Sequence, residues 1–332
     1  MKIIIDAFGG DNAPAEVIRA ARMAKDTLDT DVVLCGDTAR IRDCAGELGV
    51  NIADLEILHA PGVFDIHAQP GTIVKEGKET SLAVGLRAVR EGRGDAFVSA
   101  GSSGGLVAGA TLLTGRIKGI KRPAMTALLP TAKEKFILLD AGANIECRPE
   151  MLVQFAVMGS AYMQCVKGIK SPRVALLNVG AEETKGRELE VQTYALLQEA
   201  PVNFAGNAEA RELPQGHFDV VVCDGFAGNM ILKLYEGMGG YFRDTLKDWF
   251  GGGRGRLAAL FLLRKIKAFR KQMDYKEEGG GIILGVAHPV IKAHGSSDAK
   301  AFFNAIRQAK ACVEGDMIGM IAENMAKMKG ES

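Results

Sequence analysis

The chain has 332 residues, and its 41 Lys and Arg against 40 Asp and Glu leave a formal net charge of +1. That balance sets up no long-range field for a polyanion, and one Trp with five Tyr offers no base-stacking surface. Nucleic acid is therefore excluded as a partner, and any attraction for an anion must be local. Hydrophobic residues make up 47% and charged residues 24%, the mix of an ordinary globular protein large enough for one α/β domain or two lobes. Cys35, Cys44, Cys147, Cys165, Cys223 and Cys312 form no Cys-x-x-Cys pair and no zinc-ligand spacing with His. They read as buried free thiols of a reducing cytosol. The run from Met1 to Ile5 is too short for a signal peptide, and no stretch of about 18 apolar residues predicts a membrane span.

Short β-branched runs alternate with helical stretches, as in a parallel sheet with crossover helices. Lys2–Ile5 reads as a strand, Asp6–Ala13 as a loop, and Pro14 fits the first turn of a helix to about Leu28. Strand Val32–Cys35, helix Ala39–Leu48 and strand Leu55–Leu58 follow, then a long loop from His59 to about Lys78. Next come helix Ser81–Arg90, strand Ala96–Val98, a Gly/Ser loop Ser99–Gly105, a helix to about Thr114, and strands Met125–Leu129 and Phe136–Leu139. The second half reads as helix Pro149–Val166, strand Val174–Leu177, helix Arg187–Gln198, strands Val202–Phe204 and Val220–Cys223, and a helix from near Asn229 to Trp249. Glycines break the chain at Gly251–Gly253 and Gly279–Gly281, on either side of a helical stretch Arg256–Met273. Strand Val290–Lys292 and two helices from Asp298 close it. The expectation is a single unit, with a division into two lobes near residue 145 left open and residues 251–278 protruding.

Six polar or Gly-rich turns follow apolar strands: Asp6–Asp11, Ser99–Gly105, Asp140–Asn144, Asn178–Gly186, Asp224–Asn229 and His294–Ser297. In an open parallel sheet ligands bind beyond the carboxyl ends of the strands, so all six are expected to converge on one cleft. Glycine lets backbone N–H groups close on an anion, a helix N-terminus adds positive potential, and Ser102, Ser103, Ser296 and Ser297 add hydroxyl donors. That set suits phosphate. There is no G-x-G-x-x-G, and the nearest P-loop match, Gly71 to Gly77-Lys78-Glu79, is one residue too long and ends in Glu, which disfavours a nucleotide. Two other readings stay open. Gly101-Ser-Ser103-Gly-Gly105 fits a G-x-S-x-G nucleophile elbow, with Asp224 and His294 following in hydrolase order. Asp6, Asp11, Asp140 and Asp224 offer oxygen ligands for Mg²⁺, although at strand ends such residues more often cap helices.

The motifs Asp6-Ala-Phe-Gly-Gly-Asp-Asn-Ala-Pro14, Leu139–Asn144, Leu177–Gly186, Phe204–Asn207, Val222–Asn229 and Ile291–Ser297 occur in the order found in the PlsX-type phosphate acyltransferases. The chain resembles that family from Asp6 to about Ala309. It departs at Phe8, where the family usually has Met, and at Ser102, Ser103 and Gly105, where the family usually reads Ser-Ala-Gly-Asn-Thr-Gly-Ala. The resemblance implies a two-lobed, mainly parallel α/β fold like the isocitrate/isopropylmalate dehydrogenases and phosphotransacetylases, assembled as a homodimer. It implies acyl transfer from acyl carrier protein to inorganic phosphate, without metal or nucleotide cofactor, and a product passed to an acyl-phosphate:glycerol-3-phosphate acyltransferase for phospholipid synthesis. The expected catalytic residues are Lys185, Lys292 and His294. Asp6, Gly9, Gly10, Asp11, Ser102, Ser103, Gly104, Asn144, Glu183, Asn207, Asp224, Asn229, Ser296 and Ser297 are the expected phosphate and substrate contacts, with N–H groups near Gly10 and Gly104 facing the oxyanion.

Arg254–Lys271 carries seven basic residues and no acid, among apolar ones. On a helix Arg264, Lys267 and Lys271 share one face, and Ala258, Leu262, Ile266 and Phe269 another. Leu257, Phe261, Leu262, Arg264, Lys265, Ile266 and Phe269 are the candidate contacts to an anionic membrane surface. A dimer interface and carrier-protein docking remain alternatives. The expected location is cytoplasmic with peripheral membrane association.

Overall fold

The computed structural model describes residues 1–252, 262, 264, 265, 269 and 278–328. In chain order the strands are β1 (Lys2–Asp6), β2 (Asp31–Gly36), β3 (Glu56–His59), β4 (Ala96–Ser99), β5 (Ala124–Pro130), β6 (Lys135–Leu139), β7 (Arg173–Asn178), β8 (Asn203–Glu209), β9 (Val220–Val222), β10 (Gly280–Leu284) and β11 (Val290–Ala293). The helices are α1 (Ala15–Thr27), α2 (Thr38–Leu48), α3 (Ser81–Arg90), α4 (Ser103–Gly109), α5 (Pro149–Cys165), α6 (Glu188–Gln198), α7 (Gly225–Gly251), α8 (Ala299–Glu314) and α9 (Met317–Met328). Short polar residues start several of them, as capping chemistry favours: the side chains of Asp37, Thr80, Ser102, Asp224 and Asp298 each accept from a backbone N–H of the first turn.

One 11-stranded sheet runs β3-β2-β1-β4-β11-β10-β5-β6-β9-β7-β8. Seven of its neighbour pairs are parallel, and three are antiparallel: β11–β10, β10–β5 and β5–β6. Those three reversals decide where chemistry can happen. An odd number of reversals turns the direction round, so β6, β7, β8 and β9 run opposite to β1, β2, β3, β4 and β11. The carboxyl ends of the two parallel blocks therefore lie at opposite ends of the sheet.

Strand β10 was not expected, because Gly279-Gly280-Gly281 reads as a breaker. The glycines are there for packing: a Cβ on Gly280 would sit 2.1 Å from Lys292 O, and one on Gly281 2.1 Å from Thr126 O. The main core lies against helices α1, α5 and α8, with Tyr162, Phe155, Ile18 and Phe302 among its fully buried side chains. Helix α5 is buried over nearly its whole length, which fits its apolar sequence all round. The long loop after β3 holds a 3-10 turn, Pro70–Val74, packed on α4.

Candidate functional site

At one end of the sheet the turns after β1, β4 and β11 are laced together. Asp6, buried at the end of β1, accepts from Ser99 Oγ at 2.7 Å and from the Phe8 N–H at 3.2 Å. Ser99 Oγ in turn accepts from the Gly101 N–H at 3.0 Å. Burial pushes the Asp6 carboxyl above its ordinary pKa, and its hydrogen bonds with Ser99 and Phe8 act against that rise. Gly9 has no room for a side chain, since a Cβ would fall 2.7 Å from both Asp6 Oδ2 and Gly101 N. Gly10 takes a positive φ of 102°, which only glycine adopts at low cost, and lies against Ala100 and Gly295.

The third turn docks on the first. The Asp11 N–H donates to Gly295 O at 2.8 Å, and Asn12 Nδ2 reaches the carbonyls of Ser296 and Ser297 at 3.4 and 3.3 Å. His294 is exposed, and its Nδ1 lies 2.9 Å from Ser296 Oγ and accepts from the Ser296 N–H at 3.3 Å. An Nδ1 that accepts a backbone N–H is unprotonated, so a neutral His294 carries its proton on Nε2, as a donor. Ser297 is 1% exposed, and its Oγ has no hydrogen-bond partner among the described residues. Ser102 Oγ caps α4 by accepting from the Gly105 N–H at 3.2 Å, while Ser103 and Gly104 are exposed in its first turn. Lys292 extends its Nζ to the carbonyls of Ala100 and Ala293.

The turns after β6, β7 and β9 form a second group at the opposite end. Asp140 is fully buried and accepts from the N–H groups of Met125, Gly142, Ala143 and Asn144 and from Asn144 Nδ2. Burial pushes its carboxyl up, and those donors pull it back. Asn144 also donates to Pro123 O and takes the Gly225 N–H on its own carbonyl. Asp224 caps α7 through Ala227 N–H at 2.8 Å and pairs with Arg187 at 2.6 Å. Asn229 packs against Gly142. Asn207 donates to Glu182 O at 2.8 Å, its Oδ1 is buried without a partner among the described residues, and Glu183 accepts from Tyr194 OH at 3.2 Å. Lys185 lies on an exposed loop whose backbone is held by Asn178.

The six turns thus do not converge. Strand direction brings Asp6, Gly9, Gly10, Asp11, Ser102, Ser103, Gly104, Lys292, His294, Ser296 and Ser297 to one end, and Lys185, Asn144, Glu183, Asn207, Asp224 and Asn229 to the other. The same division removes the Ser103–His294–Asp224 triad and a Mg²⁺ site shared by Asp6, Asp11, Asp140 and Asp224. Gly104 and Gly105 also have a packing reason: a Cβ there would meet Pro70 at 2.7 Å and Phe64 at 2.5 Å. Sequence reading missed Asn12 and Ser99, which tie the turns together, and Arg187. A polar residue beside an Asp at a strand end was the available signal for Ser99. Of the basic segment, Leu257, Phe261 and Ile266 lie outside the described residues, while Leu262 and Phe269 are exposed and Phe269 stacks edge-on with Phe242 at 6.3 Å between centroids.

The fold is that of the phosphotransacetylases. A phosphotransacetylase (EutD) from Staphylococcus aureus superposes with a TM-score of 0.64 at 18% identity, covering 94% of each chain. One from Streptococcus pyogenes gives 0.63 at 19%, again over 94% of each. Residues 1–320 match the family model described as "Fatty acid synthesis protein". The chain is 44% identical to the phosphate acyltransferase of Desulforamulus reducens over 99% of both chains, and 45% identical to that of Desulfitobacterium hafniense strain Y51 over 98% of both. It belongs to the PlsX-type phosphate acyltransferase family and, as a member, is an acyltransferase.

Proposed function

We propose that the chain moves a long-chain acyl group from an acyl carrier protein thioester to inorganic phosphate, and that phosphate binds at the end of the sheet formed by the turns after β1, β4 and β11. The observation that carries the placement is Ser297. A buried hydroxyl without a partner costs stability unless something arrives to bond it. Around it lie exposed His294 and Ser296, the open first turn of α4 with Ser103, and the close-packed backbone at Gly10. Lys185 and the second group of turns fall outside this site.

In the proposed reaction a phosphate oxygen attacks the thioester carbonyl, forming a C–O bond. The C–S bond breaks as the tetrahedral intermediate collapses, and the carrier leaves as thiolate. A thiol has a pKa of about 8.5, so that leaving group needs little acid assistance. Positioning and oxyanion stabilisation then carry most of the catalysis. His294, with its proton on Nε2, donates to phosphate or to the leaving sulfur. Family membership supports the further reading that the acyl-phosphate feeds glycerol-3-phosphate acylation for phosphatidic acid. It equally supports a cytoplasmic homodimer whose basic segment rests on the membrane surface. Turnover of palmitoyl-carrier protein with and without phosphate tests the reaction. Acyl-phosphate formed only with phosphate supports it; equal release of free fatty acid without phosphate would refute it.

A further inference from the structure

Lys292 sits on β11 between β4 and β10, and in the sequence it reads as a cation for phosphate. Its geometry shows a different use. Nζ donates to Ala293 O at 2.7 Å and to Ala100 O at 3.2 Å. Ala293 opens the His294–Ser297 turn, and Ala100 lies in the turn between β4 and α4. One ammonium has three N–H donors, and two are spent on carbonyls of two different turns. These are charge-assisted bonds, and they turn two carbonyl oxygens toward a cation and away from any anion held by the same turns. Gly10, in the turn after β1, packs on Ala100 and Gly295, on either side of the same junction.

We propose that Lys292 is a positioning residue that locks the Ala100 and His294–Ser297 turns in the register that holds the acceptor anion, acting on phosphate through those turns rather than as its main charge partner. The proposal rests on phosphate binding at this end of the sheet. It separates Lys292 from His294, Ser296 and Ser297, which face the anion directly. It also accounts for a lysine where a neutral residue would leave two carbonyl groups beside an anion without their donor.

The electrostatic surroundings make the lock sensitive to pH. Burial takes the Lys292 ammonium down to about 8, with Asp11 and Asp6 opposing the fall. Those two carboxylates are the charged groups acting on it; strands β4 and β10 beside it and helix α4 carry none. As pH rises through about 8 the lysine loses its proton, and a neutral amine holds the carbonyls less firmly. A guanidinium in its place stays charged throughout that range.

The test compares wild type, Lys292→Met, Lys292→Arg and Ser297→Ala by phosphate KM, kcat, thermal midpoint and the pH dependence of phosphate KM. Lys292→Met is expected to raise the phosphate KM roughly ten- to hundred-fold, the range for lost hydrogen bonds to a charged group, with kcat changed less. Wild type is expected to show a rise in phosphate KM above about pH 8, and Lys292→Arg to recover most of the Lys292→Met loss and to remove that rise. A Lys292→Met enzyme with phosphate KM within two-fold of wild type overturns the proposal if Ser297→Ala raises KM. If neither variant moves KM, the phosphate site itself is wrongly placed and the proposal goes with it. Should Lys292→Met fail to fold, the alkaline limb of Lys292→Arg decides: its persistence overturns the lock.

Discussion

The ring of Phe64 occupies the space that a side chain on Gly105 would need; a Cβ built there would stand 2.5 Å from Phe64 Cε1. Phe64 belongs to the long loop after β3, and Gly105 to the first turn of α4 beside the proposed phosphate site. The contact joins loop and helix by shape alone. Gly105→Ala should therefore overpack this junction and lower stability by about 1–3 kcal/mol. Replacing the ring in the double variant Gly105→Ala/Phe64→Leu should return part of that loss. Urea unfolding of the two singles and the double measures the coupling. Strictly additive effects would show that the two residues do not compete for one space.

Asp6 gives a pH signature. Its folded pKa lies above the ordinary 3.8 because burial disfavours the charge. Below 3.8 the carboxyl is protonated both folded and unfolded, and no penalty arises. As pH rises, ionisation of the unfolded chain is favoured over that of the folded one, and the penalty grows until pH passes the folded value, then levels. Asp6→Asn does not titrate. The stability of Asp6→Asn relative to wild type should then climb as pH rises from about 4 and level only once pH passes the folded value, whatever its constant offset. Urea midpoints across that range read it directly. A relative stability that falls with rising pH would mean the ionised carboxylate is favoured by folding.

Much of this architecture could be read in the chain, because each parallel strand announces itself by an apolar run ending in a Gly- or Asp-bearing turn. Lys2–Ile5 and Val174–Leu177 were legible for that reason, and the helix at Pro149 because proline suits a first helical turn. Strand direction was not. A unit such as Leu139-Asp140-Ala-Gly looks the same whichever way its block runs, and the reversal passes through β10, whose glycines signal a break. Their function, making room for Lys292 O and Thr126 O, depends on neighbours more than a hundred residues away for Thr126. The expected single cleft failed on that one point. The individual turns were found, but their pairing into two groups was set by long-range strand order.

The division between the two ends makes a direct kinetic prediction. His294→Ala and Ser297→Ala should raise the phosphate KM by about ten-fold or more, on the scale of lost hydrogen bonds to a charged group. Lys185→Ala and Asp224→Asn should leave it within two-fold. Asp224→Ala should instead reduce stability by about 1 kcal/mol through loss of the α7 cap, while Arg187, largely exposed, adds little to that. A phosphate KM that rises with Lys185→Ala as it does with His294→Ala would return Lys185 to the phosphate site.

Membrane contact through the basic segment predicts that binding to anionic vesicles falls with rising salt, since surface charges are screened within about 8–10 Å at such ionic strengths. Leu262, exposed between Arg264 and the end of α7, is the residue to change. Leu262→Glu should lose most vesicle sedimentation while retaining acyl transfer to phosphate in solution. Unchanged sedimentation would place the membrane contact elsewhere or remove it.

Helix α7 carries the most exposed apolar face among the described residues. Phe226, Met230, Leu234 and Met238 recur every four residues, with Leu234 64% exposed, and Tyr241 and Trp249 continue the exposure. A membrane would favour a basic polar face, yet α7 balances Lys233, Arg243 and Lys247 against Glu236, Asp244 and Asp248. Mixed charges beside an apolar stripe suit a second copy of the same helix, where each sign meets its opposite across a two-fold axis. A homodimer of the kind proposed above, joined through α7, makes a direct prediction. Leu234→Glu should sediment as a monomer at micromolar concentration with its circular dichroism intact, where the wild type is expected to sediment as a dimer. Because the α7 N-terminus lies at the far end of the sheet from His294, the monomeric variant should keep its phosphate KM. A Leu234→Glu protein that remains dimeric would move the interface to another surface.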